Sequence, residues 1–368
     1  MKNMTTKQIS QYLEKVDIHA FRRELITWFE SEMRDLPWRQ DQDPYKVWVS
    51  EIMLQQTKVD TVIPYFNRFM EQFPTVHDLA EAEEQQVLKA WEGLGYYSRA
   101  RNLQNAVQEV VATYGGKVPD NEEQLSSLKG IGPYTKGAIL SIAYNQPEPA
   151  VDGNVMRVLS RIYFIEEDIA KPKARKTFEA ILRELIDPDN PSYFNQGLME
   201  LGALVCTPKS PSCLLCPVQA HCEGFKLGRQ TELPIKITKK KKNVKRYWAL
   251  VIENTKGDVL IEKRPDSGLL ANLWQFPMMD LSDVDPEFAK QWIQQAYGLS
   301  VTVGHKLTDI NHVFSHLTWD LEVIRCKTDD SLSLDPDDVC FVSKTHIDDY
   351  PFPVSHQKIR QILLNEQS

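Results

Sequence analysis

Four cysteines close together in the chain are the feature that most limits how it can fold. They follow the spacing Cys206-x6-Cys213-x2-Cys216-x5-Cys222. Thiolates spaced in this way form one metal site, because disulfides are rare in the reducing cytosol. Zinc sites usually combine two separated Cys-x2-Cys pairs, and this segment has only one, so the spacing favours an iron–sulfur cluster over zinc. The remaining thiols, Cys326 and Cys340, match no metal spacing and are expected to be buried.

Length and composition indicate a folded protein of two domains. The chain has 368 residues, of which 42% are hydrophobic and 10% aromatic, and this is long for a single core. No uninterrupted apolar stretch approaches the roughly 18 residues of a membrane span. The polar residues 1–14 lack the apolar centre of a signal peptide. We therefore expect a cytoplasmic protein, most simply a bacterial one, that acts as a monomer without a membrane.

The distribution of charge divides the chain. The net charge of -8 argues at first against nucleic acid, but its distribution matters more than its sum. Residues 230–246 carry seven basic side chains and one acidic side chain, whereas the segments before and after them are acidic overall. This basic segment is either a solvated interdomain linker or a phosphate contact. It separates a predicted helical domain, residues 1–229 with the cysteine loop at 206–222, from a second domain, residues 247–368.

A glycine turn precedes a small, apolar helix in the first domain. Gly130 and Gly132 flank one apolar residue, so the turn can bend sharply and bring bare backbone N–H groups to a phosphate at the start of the next helix. That helix is predicted over residues 135–143. The pattern predicts a helix-hairpin-helix, although a lone Gly-x-Gly is also common as an ordinary turn between packed helices.

Two carboxylates stand in apolar surroundings. Asp152 directly precedes a predicted helix and suits its N-cap, where the helix N-terminus is expected to lower the carboxyl pKa and keep the group anionic. Glu51 lies in the mostly apolar segment 47–57, whose helix is expected to meet its loop around residues 54–56. It either points to water or faces a dry cleft, where desolvation raises its pKa and makes it a proton donor near neutral pH.

The segment from Gly130 to Tyr134, followed by Asp152, resembles the helix-hairpin-helix-Gly/Pro-Asp DNA glycosylase superfamily. The surrounding sequence is similar to its adenine DNA glycosylase (MutY) branch over nearly the whole chain. The resemblance implies a multidomain protein: an all-α glycosylase domain whose cysteine loop holds a 4Fe-4S cluster, then an α+β Nudix-like domain. It also implies excision of adenine opposite 8-oxoguanine or guanine in double-stranded DNA.

The resemblance assigns roles to residues of the first domain. Glu51 is the general acid, Asp152 stabilises the oxocarbenium ion or briefly bonds to it, and Tyr134 and Asn154 orient Asp152, the sugar or water. From the residues alone, Trp38 could equally be core and residues 54–56 a solvated helix end. The expected DNA contacts form the adenine pocket, the wedge that fills the base stack, a stacking tyrosine and the hairpin: Trp38, Arg39, Leu54, Gln56, Tyr96, Gly130 and Gly132.

Tyr134 separates two kinds of chemistry within the superfamily. Endonuclease III-like members carry lysine at this position, where the amine forms a Schiff base, and a phenol cannot do so. We therefore expect hydrolysis alone, with an abasic site as product. The alternatives are a bifunctional endonuclease III-type lyase that would use Lys136, and a module that binds DNA without chemistry. The chain departs from MutY sequences at Gln196, where a glutamate near the adenine pocket can occur.

The second domain is expected to read the base rather than to catalyse. Short strands are predicted at 247–252, 259–264 and 321–325, with a helix at 288–297 between them. Residues 268–277 resemble the Nudix-like domain of MutY, but residues 288–298 lack the acids that would hold Mg²⁺ for pyrophosphate chemistry. Residues Phe314, Ser315 and His316 could be a structural loop. The resemblance implies that this loop reads 8-oxoguanine, with Ser315 and His316 contacting the damaged base.

Overall fold

The computed structural model describes residues 6–237, 243–330 and 337–366. Its contacts group the chain into two compact units, the first Met1–Glu81 with Asn105–Thr238 and the second Ala82–Gln104 with Lys239–Ser368. Residues 238–242, the lysine-rich centre of the predicted linker, lie outside the described residues. The predicted domain boundaries at 229 and 246 stay predictions.

The described part of the first unit is helical throughout, as the sequence predicts. Its helices, with α7 continuing from the second unit, are α1 (Thr6–Leu13), α2 (Ile18–Glu32), α3 (Pro44–Leu54), α4 (Val59–Gln72), α5 (Val76–Glu81), α7 (Ser98–Tyr114), α8 (Glu122–Ser127), α9 (Pro133–Ala138), α10 (Gly153–Tyr163), α11 (Pro172–Leu185), α12 (Pro191–Leu204) and α13 (Glu223–Lys226). Helix α6 (Glu84–Ala90) belongs to the second unit.

The core of the first unit forms where α2, α10, α11 and α12 meet. Each of these helices carries apolar residues at helical spacing, so one stripe of each is buried against the others. Leu25, Leu159, Phe178 and Leu198 are fully buried in this cluster. Three of the four clustered cysteines pack against the same core. The helix ends that surround this core are thereby held in fixed positions.

Helices α8 and α9 form the predicted hairpin. Gly130 has φ +85°, a left-handed conformation that favours glycine, and Gly132 caps α9 with Pro133 at the first helical position. The helix continues beyond Ala138 as a wider turn over Ile139–Ala143, so the prediction of a helix to residue 143 is confirmed. A Cβ atom on Gly137 would lie 2.0 Å from the carbonyl oxygen of Pro149. This helix therefore packs closely against the backbone of Pro149.

The second unit contains a mixed seven-stranded sheet with helices beside it. Its strands are β1 (Asn243–Glu253), β2 (Val259–Lys263), β3 (Trp274–Gln275), β4 (Met278–Asp280), β5 (Val301–Val313), β6 (Leu317–Thr328) and β7 (Val339–Val342), and its later helices are α14 (Ala289–Tyr297) and α15 (Val354–Asn365). The order is β3-β2-β1-β6-β5, with β4 on β1 and β7 on β2. Strands β1 and β6 are parallel and the other pairs antiparallel. The predicted α+β character is confirmed.

Residues 82–104 are part of the second unit although the chain returns to the first unit after them. Glu92 accepts hydrogen bonds from the backbone N–H of Phe352, at 2.9 Å, and from Arg360, at 3.1 Å. Gln85 accepts from the indole N–H of Trp274 at 3.1 Å. These contacts join residues distant in sequence, so they belong to tertiary structure and not to any local pattern.

Among the helices of the described residues, none combines the length and the apolar composition that a membrane span requires.

Candidate active site

A cleft of about 580 Å³ in the first unit gathers the ends of several helices. Its size is typical of small-molecule and cofactor sites. Both predicted catalytic carboxylates, Glu51 and Asp152, line it. The other residues named from the sequence that line it are Trp38, Arg39, Leu54, Gln55, Gln56, Gly130, Gly132, Tyr134, Asn154 and Gln196, and Arg34 and Leu36 line it as well. One cavity therefore collects these residues from five separate stretches of the chain.

Glu51 lines the cleft and is buried, so it does not point to bulk solvent. It lies on α3 between buried neighbours and is 5% exposed. The phenol of Tyr134 donates a hydrogen bond to its carboxylate. Burial raises the pKa of Glu51 to about 7, and the negative charge of Asp152 adds to this effect, while the Tyr134 hydrogen bond and the Arg39 charge oppose it. Glu51 can therefore carry a proton at neutral pH.

Asp152 caps α10, as predicted. Its Oδ1 accepts from the backbone N–H of Val155 at 2.7 Å, and its Oδ2 accepts from the side-chain amide of Asn154 at 2.9 Å. The expectation that the helix N-terminus gives this carboxyl a lowered pKa is wrong. Burial raises the pKa of Asp152 by more than the bonds to Val155 and Asn154 and the charge of Arg157 lower it.

The two carboxyl groups still differ in how well their anions are stabilised. The Asp152 anion receives two hydrogen bonds of normal length and the nearby charge of Arg157. The Glu51 anion receives one hydrogen bond, and the Asp152 charge disfavours it further. These contacts favour the anion of Asp152 more than the anion of Glu51, which is also favoured by the charge of Arg39.

Glu200, which was not predicted from the sequence, accepts hydrogen bonds from two arginines at the cleft. Arg34 donates to it at 2.8 Å and 2.9 Å, and Arg39 donates to it at 3.0 Å. These bonds lower the pKa of Glu200 to about 2 in spite of its burial. A carboxylate on the apolar helix α12, four residues after Gln196, was the available signal. Gln196 accepts from the Nε–H of Arg39 at 3.0 Å, so the amide joins this network.

Trp38 is both a core residue and a lining residue of the cleft. It lies in a short turn, Pro37–Arg39, directly after Leu36. Its side chain is 6% exposed and meets the ring of Phe66 edge-on at 5.3 Å. The two interpretations that the sequence left open for Trp38 are therefore compatible.

Lys136 does not line the cleft in the described structure. Its ammonium group forms an ion pair with Glu122 of α8. As expected from its position two residues after Tyr134, its side chain is directed away from Tyr134. The cleft contains three arginines and, among the described residues, no lysine.

A chain of hydrogen bonds leads from Asp152 to the cysteine loop. Asn154 donates to Asp152 and accepts from Arg157 at 2.8 Å. Arg157 also donates to the carbonyl oxygen of Cys206 at 2.8 Å. Arg161 donates to the same carbonyl at 3.2 Å and to the Cys206 sulfur at 3.3 Å. The conformation of the cysteine loop is thus linked to the orientation of Asn154.

The four clustered cysteines line one small cavity with apolar walls, built from Val158, Ile162, Leu201, Val205 and Val218 among others. Burial raises the pKa of Cys216 to about 12 and that of Cys222 to about 11. Thiolates in such a place need a cationic partner, which a metal cluster supplies. Within the described residues, no set of three or more His, Cys, Asp or Glu side chains has metal-binding geometry. The residues fit a thiolate-bound group in composition and grouping.

The remaining predicted base contacts lie in the second unit. The loop Phe314–His316 connects β5 to β6, where the backbone N–H of Phe314 donates to the Leu317 carbonyl at 2.7 Å. The hydroxyls of Tyr96 and Ser315 are 3.0 Å apart and hydrogen-bonded. Tyr96 is 47% exposed and has φ +48°. The structure therefore brings together, in one unit, a tyrosine and a loop that lie 219 positions apart in sequence.

Aromatic packing supports both parts of this surface. The ring of Phe314 meets Trp319 at 4.9 Å and His312 at 4.5 Å, each edge-on. The guanidinium of Arg99 lies 5.5 Å from the ring centroid of Tyr96, which fits a cation–π contact. Ser315 and His316 remain exposed. The exposed side chains of Ser315 and His316 thus follow a packed aromatic ring, that of Phe314.

Family models match both halves of the chain. A model described as the HhH-GPD superfamily base excision DNA repair protein matches residues 49–184. A NUDIX domain model matches residues 248–361. The first match includes Glu51, the hairpin and Asp152.

Curated relatives extend the similarity over most of the chain. The chain is 38% identical over 362 residues to the adenine DNA glycosylase of Rattus norvegicus, with 83% of this chain and 70% of the relative covered. It is 35% identical over 369 residues to the adenine DNA glycosylase of Homo sapiens, with 85% of this chain and 68% of the relative covered. It is 37% identical over 304 residues to the adenine DNA glycosylase of Buchnera aphidicola subsp. Schizaphis graminum, with 82% of this chain and 86% of the relative covered.

Solved structures match the helical part. A thermostable thymine-DNA glycosylase superposes with a TM-score of 0.51 at 26% identity, covering 58% of this chain and 98% of that chain. Endonuclease III, trapped as a covalent intermediate with DNA, superposes with a TM-score of 0.50 at 24% identity, covering 61% and 99%. The similarity to endonuclease III shows a shared fold alone.

Proposed function

Because this chain belongs to the adenine DNA glycosylase family, we propose that its cleft breaks the N-glycosyl bond of adenine with Glu51 as general acid and Asp152 as stabilising anion. The activity of the chain is the removal of adenine from DNA in base excision repair. The observation that carries the assignment of roles is the shared cleft, in which burial raises the pKa of Glu51 to about 7 while two hydrogen bonds and the charge of Arg157 favour the anion of Asp152.

Neutral adenine is a poor leaving group, so its departure needs a proton. Glu51, protonated near neutral pH, donates that proton to N7 of adenine, and the base leaves as a neutral molecule. The ionised Asp152 stabilises the oxocarbenium ion that forms at the sugar, or bonds to it briefly. Tyr134 donates a hydrogen bond to the Glu51 carboxyl and so orients it, and the side-chain amide of Asn154 does the same for Asp152. Water then attacks the sugar, which gives free adenine and an abasic site.

Hydrolysis without strand cleavage is the proposed outcome. A lyase needs an amine at the sugar carbon, and Lys136 is paired with Glu122 outside the cleft. Borohydride trapping on a duplex with an A:8-oxoguanine pair tests this. We expect no covalent adduct. An adduct that disappears in Lys136→Ala would support the endonuclease III-type lyase instead.

The assay of adenine release tests the catalytic roles. Glu51→Gln and Asp152→Asn are each expected to slow single-turnover release by at least roughly 100-fold, while binding to the duplex persists. Lys136→Ala serves as the control, because this residue lies outside the cleft, and is expected to keep the wild-type rate. Release that survives in Glu51→Gln would remove Glu51 from the mechanism.

We also propose that the second unit recognises 8-oxoguanine opposite the adenine, through Tyr96 and the loop Phe314–His316. The support is the exposed pair Ser315 and His316 beside the anchored rings, and the bond from Ser315 to Tyr96. Ser315→Ala with His316→Ala is expected to reduce the ratio of release from A:8-oxoguanine to release from A:G. His305→Ala, an exposed histidine of β5, is the control. An unchanged ratio in the double variant would contradict the assignment.

We propose that Cys206, Cys213, Cys216 and Cys222 hold a 4Fe-4S cluster. The support is their spacing and the single apolar cavity that they line. The cluster has a structural role in this proposal, since it ties the ends of the loop together. Purified protein is expected to be yellow-brown and to contain four iron atoms per chain in this proposal. Zinc in place of iron would contradict it.

A further inference from the structure

Three arginines line the active-site cleft, and two of them are already bound. Arg34 and Arg39 both form ion pairs with Glu200, at 2.8 Å and 3.0 Å. The third, Arg175, forms no hydrogen bond or ion pair with any other residue in the described ranges 6–237, 243–330 and 337–366. Its guanidinium is therefore available to a ligand in the cleft.

Arg175 lies where a bound nucleotide would meet it. It belongs to the first turn of α11, is half-buried, and lines the same cleft as Asp152 and Gly153. Its charge also acts on Tyr134, since it lowers the pKa of that phenol against the larger raising effect of burial. A nucleotide whose sugar reaches Asp152 thus brings its backbone to the cleft that Arg175 lines.

Helix stability does not account for this arginine. A cation near a helix start is unfavourable, because the helix macrodipole is positive there. Arg183, in the last turn of α11, has the favourable position and a bidentate ion pair with Glu148, at 2.9 Å for each bond. Lys173 and Lys176 add positive charge beside Arg175, and neither forms an ion pair with another described residue. The start of α11 is therefore charged beyond what its own folding favours.

We propose that Arg175 binds a phosphodiester that flanks the adenosine entering the cleft. The inference rests on the adenine excision described above. An extruded nucleotide carries a phosphate on each side, and the guanidinium group suits a phosphate because two parallel N–H groups meet two oxygens. Adenine itself is neutral and gives no reason for an unpaired full charge. The contact anchors the strand while Glu51 and Asp152 act on the nucleotide.

An interface double-mutant cycle tests the contact. Wild type and Arg175→Gln are titrated with duplexes that contain 2′-fluoro-2′-deoxyadenosine opposite 8-oxoguanine, in which the fluorine prevents cleavage by destabilising the sugar cation. In a series of duplexes, each phosphate near that nucleotide is replaced in turn by an uncharged methylphosphonate. Arg175→Gln is expected to weaken binding roughly 10- to 100-fold on the unmodified duplex. At one methylphosphonate position this loss is expected to disappear.

Salt dependence and matched variants complete the test. The slope of log K against log salt concentration is expected to fall by about 1 in Arg175→Gln and to stay at the wild-type value in Arg175→Lys. Arg23→Gln removes an equivalent charge from a side chain that is 70% exposed and outside the cleft, and is expected to change neither slope nor affinity.

A loss of the same size at every methylphosphonate position would overturn the proposal. So would an unchanged affinity of Arg175→Gln with a reduced rate of release. Adenine release by wild type from the cleavable duplex is measured in parallel. Absence of that release would count against the enzymatic function and not against the role of Arg175.

Discussion

Glu51 and Asp152 bear the same ionisable group, and their surroundings stabilise the two anions to different degrees. Glu51 lies against apolar neighbours with a single hydrogen bond to its carboxylate, whereas Asp152 receives bonds from Val155 and Asn154. The sequence predicted an acid and an anion from each residue's neighbours along the chain. It predicted a raised pKa for a Glu51 that faces a dry cleft, but it did not predict that burial also raises the pKa of Asp152, because burial depends on helices from elsewhere in the chain.

The raised pKa of Glu51 predicts how the reaction depends on pH. A general acid acts in its protonated form, so the single-turnover rate of adenine release is expected to fall as pH rises through about 7. Tyr134→Phe removes a hydrogen bond that lowers this pKa, so the descending limb is expected to move to higher pH whatever the maximal rate. Rates over a range of pH in both proteins check this. A limb that moves to lower pH would contradict it.

Glu200 predicts a change of stability in acid. Its pKa is about 2 in the folded protein and 4.5 in the reference state, so its contribution is complete above pH 4.5 and is lost as pH falls toward 2. The shift corresponds to about 3 kcal/mol of unfolding free energy. Glu200→Gln is expected to be less stable than wild type at pH 7 and to lose less stability between pH 5 and roughly pH 3. Denaturant unfolding at each pH measures both effects, and equal pH dependence would contradict the prediction.

At the scale of secondary structure, the hairpin between α8 and α9 gives its two glycines different roles. Gly130 needs its left-handed backbone, with φ +85°. Gly132 has φ -89°, and a Cβ there would meet nothing within 4 Å. The turn geometry therefore explains Gly130, whereas Gly132 leaves open space beside the backbone N–H groups at the start of α9.

Alanine at each glycine tests this difference. Gly130→Ala is expected to lower the unfolding free energy by about 1–2 kcal/mol, the cost of a left-handed alanine. Gly132→Ala is expected to leave stability unchanged and to weaken DNA binding roughly tenfold, because its methyl group occupies the space that a phosphate needs. Thermal unfolding and duplex titration measure the two effects. Normal binding by Gly132→Ala would show that no phosphate approaches there.

The predictions of elements succeeded where local pattern decides. Helix α3 ends at Leu54 and α10 begins after Asp152, as apolar spacing and the N-cap indicate. Strand β5 was not predicted, since its exposed edge position leaves little apolar alternation to recognise. Glu200 was also missed, because its partners Arg34 and Arg39 lie more than 150 positions away.

At the scale of the whole molecule, the first unit links its cysteine loop to its active site. Arg157 donates both to Asn154 and to the Cys206 carbonyl. Removing the iron of the proposed cluster is expected to slow adenine release and to lower the melting temperature, since the loop then loses its support. Arg157→Gln is expected to keep the iron–sulfur absorbance but to slow release. Normal release by both the iron-free protein and the variant would show that the loop and the site are independent.

The sequence by itself determined the helical and α+β regions and the glycine turn of the hairpin, and it predicted the cysteine loop and the two carboxylates that line the cleft. These depend on residue type and on spacing within a few turns, which local backbone geometry transmits directly. Tertiary structure alone decided the burial that raises the pKa of Asp152 and the ion pairs of Glu200 with two arginines. It also decided that Arg175 lines the cleft without a partner and that residues 82–104 belong to the second unit. Each of these depends on side chains that meet only after distant segments have packed, and solvent exclusion at those contacts sets their energy.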